Sequence, residues 1–158
     1  MFTTLFYIIL FIIIADFLLE RILETLNIRH SGKELPAMLK GIFDEEKYAK
    51  QQAYLRANHR FGLLSSGFNL VILLGMIGLS GFAMVNDFSA SLTLHPVGQA
   101  LIFFGIILFA AGLLNLPFSV YDTFVIEQKF GFNKTTPLTF VLDLLKSVLL
   151  TVILGGSI

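Results

Sequence analysis

The sequence predicts an all-α fold, a polytopic transmembrane helical bundle of four spans with a cytoplasmic extension of the second helix. Three observations carry that prediction. The 158-residue chain is 56% hydrophobic and has a mean hydropathy of +0.82, above the roughly 45–50% apolar content of ordinary soluble domains. Four apolar stretches, 2–19, 62–85, 97–120 and 138–158, come close to or exceed the about 20 helical residues that cross a bilayer. The basic residues are also lopsided: eight of eleven Lys and Arg lie within 20–60, as Arg21, Arg29, Lys33, Lys40, Lys47, Lys50, Arg56 and Arg60.

The first stretch has no basic residue before Arg21 and no small-residue cleavage step, unlike a signal peptide. It reads as an uncleaved span, with Asp16 one turn from Glu20. Between Leu35-Pro36 and Asp44, the short apolar segment 37–43 is suited to lie at the membrane interface. Asp44 then fits an N-cap, with Glu45 and Glu46 in the first turn where the helix dipole favours acids. No proline follows until Pro96, so this helix is expected to run straight into the second span, 62–85. The external loop 86–96 has no Lys or Arg, and the loop 121–137 has Lys129 and Lys134. By the positive-inside rule, loops 20–60 and 121–137 are cytoplasmic and both termini are external or lumenal. Thr136-Pro137 supplies an N-cap and a first-turn proline for the fourth span. Gly75, Gly78 and Gly81 on one helix, and Gly98, Gly105 and Gly112 on the next, are read as seams for close helix packing. The whole chain, 1–158, is read as a single membrane domain.

Eleven Lys and Arg balance eleven Asp and Glu, so charge points to no nucleic-acid partner. The absence of cysteine removes disulfides, thiolate zinc sites and cysteine nucleophiles together. His30, His59 and His95 show no metal-ligand spacing and are read as surface or interfacial. No catalytic residue, metal ligand or cofactor is assigned to this chain. Inside the fourth span, Asp143 and Lys146 lie three residues apart on one helix face and are expected to pair. Unshielded intramembrane charge is costly, so such groups face protein or water.

The densest stretch starts at Asn115 and reads N-L-P-F-S-V-Y-D-T-F-V-I-E-Q-K-F-G-F-N-K-T-T-P. Pro117, Phe118, Tyr121, Thr123, Phe124, Ile126, Glu127, Lys129, Gly131, Phe132, Asn133, Lys134 and Thr136 resemble, position by position, a loop of the type I CAAX prenyl protease family. A second stretch, Glu46, Tyr48, Lys50, Gln52, Ala53, Tyr54, Arg56, Arg60, Phe61 and Gly62, resembles that family's entry into its second span. Asn58-His59 departs there from the lysine-containing form.

The family consists of integral-membrane zinc metallopeptidases that cut prenylated or otherwise membrane-proximal substrates. Zinc is held by H-E-x-x-H and a later glutamate, which lie downstream of the matched region. The resemblance thus implies the N-terminal membrane portion of such a protease, cut from a longer chain or short by nature, and inactive as a peptidase alone. Its partners would be the lipid bilayer, a catalytic region in cis or in trans, and a prenylated or membrane-proximal peptide. The expected contacts with substrate or catalytic region are Glu127, Asn133, Lys134, Tyr121 and Thr123, with Phe124, Phe130 and Phe132 as interface anchors. A non-enzymatic adaptor or assembly subunit on the same scaffold is the alternative. A small transporter has less support, because internal charge is confined to the fourth span.

Overall fold

The computed structural model describes residues 3–31 and 44–156. The segment 37–43, read as interfacial, lies outside them. Every element is helical: α1 (Thr4–Ser31), α2 (Glu45–Gly78), α3 (Gly81–Leu92), α4 (Pro96–Tyr121), a π-helical segment (Asp122–Glu127) and α5 (Pro137–Gly156). Two compact units, Met1–Gly75 and Met76–Ile158, divide within the last turn of α2.

α2 begins as its sequence dictates. Asp44 Oδ1 accepts hydrogen bonds from the backbone N–H of Glu46 at 3.0 Å and of Lys47 at 3.3 Å. That side-chain oxygen satisfies donors that a helix start leaves unpaired. The helix then runs unbroken for 34 residues. Near its middle α2 lies beside α1: a Cβ on Gly62 would stand 3.9 Å, an ordinary contact distance, from Glu24 Oε1.

The stretch 62–85 is not one helix. α2 stops at Gly78, Ser80 takes a left-handed conformation at φ 58°, and α3 starts at Gly81. A Cβ on Gly81 would come within 2.6 Å of Met76 Sδ, so the glycine permits a helix break that uniform hydropathy conceals. The expected loop 86–96 is correspondingly helical as far as Leu92.

α3 packs against α4 across the short connection Thr93, Leu94, His95. Thr93 organises it: its Oγ1 accepts from the His95 N–H at 3.2 Å, and its carbonyl accepts from Gln99 Nε2 at 3.0 Å. Gly98 lets Thr93 approach, since a Cβ there would meet Thr93 Cγ2 at 3.0 Å. The expected glycine seams are otherwise absent among the described residues. At Gly75, Gly78, Gly105 and Gly112 a Cβ would have open space for 4 Å around it.

Three helical stretches, Glu45–Gly78, Pro96–Glu127 and Pro137–Gly155, are long and apolar enough to cross a membrane. α1 falls outside that group because Asp16, Glu20 and Arg21 crowd every 18-residue window it offers. Burial inside the chain is slight. Among the described residues only Ile126 and Ser89 are buried, and long apolar side chains such as Phe11, Leu101, Phe109 and Leu145 stay exposed.

Candidate functional site

The segment that joins α4 to α5 has the most specific local structure in the chain. Pro117 lies inside α4 and has no N–H for an i→i−4 bond. One turn later the helix widens into the π segment, where the Asp122 N–H is shared between the carbonyls of Phe118 and Ser119. π-helical turns inside α-helices recur at functional positions. The first half of the stretch 121–137, expected as loop, is therefore helical as far as Lys129.

Gly131 ends that helix. It has φ 70°; its N–H bonds the Gln128 carbonyl at 3.1 Å and the Phe132 N–H bonds the Glu127 carbonyl at 2.9 Å. This pair of bonds around a left-handed residue is the Schellman motif, and glycine is the residue that adopts it without steric cost. The Glu127 carbonyl also accepts from the Asn133 N–H at 3.3 Å. Asn133 Oδ1 in turn accepts from the Thr135 N–H at 2.6 Å. α5 then opens on a reciprocal cap. The Thr139 N–H bonds Thr136 Oγ1 at 3.2 Å, and the Thr136 N–H bonds Thr139 Oγ1 at 2.8 Å. This is a capping box in which threonine takes the usual place of Glu or Gln.

These contacts place the residues singled out from the sequence. Tyr121 and Lys134 are exposed, while Thr123, Glu127 and Asn133 are half-buried. The Phe124 ring meets Phe140 of α5 edge-on at 5.5 Å, so it joins the π segment to the next helix. Phe130 lies under Lys129 Nζ at 5.7 Å, and Phe132 is exposed. Asp122, absent from the expected site, has a carboxylate oxygen enclosed without a hydrogen-bond partner. Farther along α5, Lys146 Nζ is 3.4 Å from Asp143 Oδ1, both side chains largely exposed.

A second cluster occupies the first unit. Arg21 Nη1 meets Glu24 Oε2 at 2.5 Å and Arg21 Nη2 meets Glu20 Oε2 at 3.3 Å. Across from them, His59 Nδ1 lies 3.4 Å from Glu24 Oε1. His59, read as surface or interfacial, has a side chain only 10% exposed, so the surface half of that reading does not hold. The spacing of Arg21 and Glu24 on one face of α1 is visible in the sequence, but their partner on α2 is not. Among the described residues no three His, Asp or Glu side chains gather to hold a metal ion.

Outside the apolar segments, the Asp44 carboxyl is held below its ordinary value, chiefly by the hydrogen bond from the Lys47 backbone N–H.

Comparison with known proteins decides the family. Residues 24–158 match the family model described as CAAX prenyl protease N-terminal, five membrane helices. The chain belongs to the CAAX prenyl protease N-terminal family. It is 33% identical over 138 residues to CAAX prenyl protease 1 of Saccharomyces cerevisiae, covering 81% of this chain and 30% of that protein. It is 35% identical over 139 residues to the probable CAAX prenyl protease 1 of Schizosaccharomyces pombe, covering 76% of this chain and 29% of that protein. The crystal structure of S. mikatae Ste24p superposes with a TM-score of 0.88 at 31% identity, covering 99% of this chain and 38% of that one. The chain therefore spans about a third of the length of the CAAX prenyl proteases it matches.

Proposed function

We propose that this chain is the non-catalytic N-terminal membrane domain of a CAAX-protease-like zinc metalloendopeptidase, forming part of its intramembrane chamber and docking its catalytic region. The observation that carries this reading is the superposition on Ste24p over 99% of this chain but 38% of that one. Sharing that fold over nearly its whole length while spanning a minority of the related protein supports a scaffold role for this chain.

The docking surface is the π segment and the turn after it. The Schellman motif and the capping box hold this stretch in one conformation, so Tyr121, Glu127 and Lys134 are presented without further ordering cost. Glu127, Asn133, Lys134, Tyr121 and Thr123 are the contact residues, and Phe130 and Phe132 anchor the turn at the membrane surface. In the bilayer the chain makes four spans, with α1 as the first and the N-terminal part of α2 projecting from the membrane. The basic segment 20–60 and the turn 121–137 face the cytoplasm, where a catalytic region would meet them. The zinc would be held by the catalytic region, as the family resemblance implies. The substrate class is a prenylated or membrane-proximal peptide.

The test is reconstitution. This chain, co-expressed with the remaining two-thirds of a related protease, is expected to co-purify with it and to restore cleavage of a farnesylated C-terminal peptide. Absence of both co-purification and restored cleavage would sink the proposal.

A further inference from the structure

Two arginines on α2 have no part in the docking role. Arg56 and Arg60 are about one helical turn apart, both exposed, and neither is ion-paired among the described residues. Their neighbours are committed elsewhere: Arg21 pairs with Glu20 and Glu24, and Lys47 with Asp44. Glu24, the acid that α1 brings to this part of α2, lies against Arg21 and His59. Along α2 the nearest acid is Glu46, ten residues from Arg56, about 15 Å at 1.5 Å per residue.

The two cations stand where the helix turns apolar, since α2 has no charged residue from Gly62 to Gly78. At 100° per residue, Arg56, Arg60, Gly67 and Val71 fall within an arc of about 60°, with Leu63 and Leu64 at its two edges. Leu64 and Val71 are 65% and 67% exposed, and a Cβ on Gly67 would meet nothing within 4 Å. One face of α2 thus carries two guanidiniums and then a notch at Gly67 between branched aliphatic side chains. That order matches a phospholipid standing beside the helix, with charge at the headgroup level and apolar surface along the chains. Guanidinium forks bind phosphate oxygens bidentately, and anionic lipid gathers at basic segments next to a span. A soluble anion would leave the aliphatic continuation uncovered.

We propose that Arg56, Arg60 and the Leu63–Val71 face form a binding site for an anionic phospholipid of the leaflet at which α2 enters the membrane. The site rests on α2 crossing the bilayer from about Gly62, and not on the docking of a catalytic region.

The chain has no tryptophan, so Leu64→Trp places a single indole beside the two arginines. The full chain carrying it is reconstituted in mixed vesicles of phosphatidylserine and phosphatidylcholine, with one or the other lipid brominated. Quenching of the indole then reports which lipid occupies the face. At low salt phosphatidylserine is expected to be favoured about fivefold, the scale of one basic residue at an anionic surface. About 0.5 M salt is expected to remove most of that preference. Arg56→Gln with Arg60→Gln is expected to bring the two lipids to parity, and Arg56→Lys with Arg60→Lys to keep part of the preference. Leu108→Trp on α4, at a position 56% exposed, is expected to show none. Equal quenching by the two brominated lipids at low salt would overturn the site, as would a preference that survives in the double glutamine variant. Absence of quenching by either lipid would overturn it too, because the face would then be covered by protein. Loss of the preference to inorganic phosphate at constant ionic strength would assign the arginines to a free anion instead. If the glutamine variant fails to fold, the lipid comparison and its salt dependence on the native arginines still decide.

Discussion

Three side chains show how far single residues govern this chain. Gly131 holds the only positive-φ glycine conformation among the described residues, and a Cβ in that conformation costs about 1 kcal/mol. Gly131→Ala is expected to weaken the turn by that amount, read as faster hydrogen exchange at Phe132 and Asn133. Thr136 caps α5, and Thr136→Ala is expected to destabilise the helix start by about 1 kcal/mol, measured by exchange at Thr139. Asp44 adds a pH dependence. Its carboxyl is held below the ordinary value by N–H donors of the folded helix, so it binds protons less readily in the folded state. Its contribution is accordingly full above the ordinary carboxylate range and is lost as pH falls through the folded value. The first turn of α2 is therefore expected to fray in acid, and Asp44→Asn to blunt that response in exchange measurements at Glu46 and Lys47.

At the scale of elements, α5 is the most informative helix. At 100° per residue, Thr139, Asp143, Lys146, Ser147 and Thr151 all fall within an arc of about 140°, and the opposite side is aliphatic. Asp143 and Lys146 remain 69% and 70% exposed while paired. Charges in such a position face water or protein and not lipid, which supports the chamber role proposed for this chain. Ser147→Cys is expected to react with a hydrophilic maleimide in intact membranes, and Leu145→Cys and Val152→Cys to remain unmodified. Equal labelling of both faces would mean that α5 does not span the bilayer. Protection of both would mean that the polar stripe is packed against protein.

How legible these elements are in the sequence depends on the kind of signal. The caps at Asp44 and at Thr136-Pro137 are readable because a cap is decided by a few adjacent residues. The interruption at Leu79-Ser80 is not: hydropathy measures transfer to lipid and is silent on a left-handed backbone residue, so 62–85 reads as continuous. The π segment is hidden in the same way. A widened turn and an α-turn have the same composition, and only the proline at position 117 hints at the change. The glycines spaced as seams have open space beside them, because spacing identifies a face without supplying the helix to fill it.

For the whole molecule, the ratio of apolar surface to internal burial is the governing fact. A chain of this length that buries only Ile126 and Ser89 among its described residues leaves its apolar side chains to be covered by lipid or by further protein. Stable isolation is therefore expected to require detergent or lipid, with aggregation on its removal measured by light scattering.

Much of this protein's character was set by the sequence alone. The all-α membrane character, the lopsided charge, the helix starts and the family resemblance all follow from local composition and short-range order, which need no partner to be read. Tertiary structure decided which residues meet. Glu24 and His59 lie in different helices, Phe124 packs on Phe140, and one carboxylate oxygen of Asp122 is enclosed in a widened turn. Those outcomes depend on how separate helices are placed in space, and one-dimensional hydropathy carries no information about that placement.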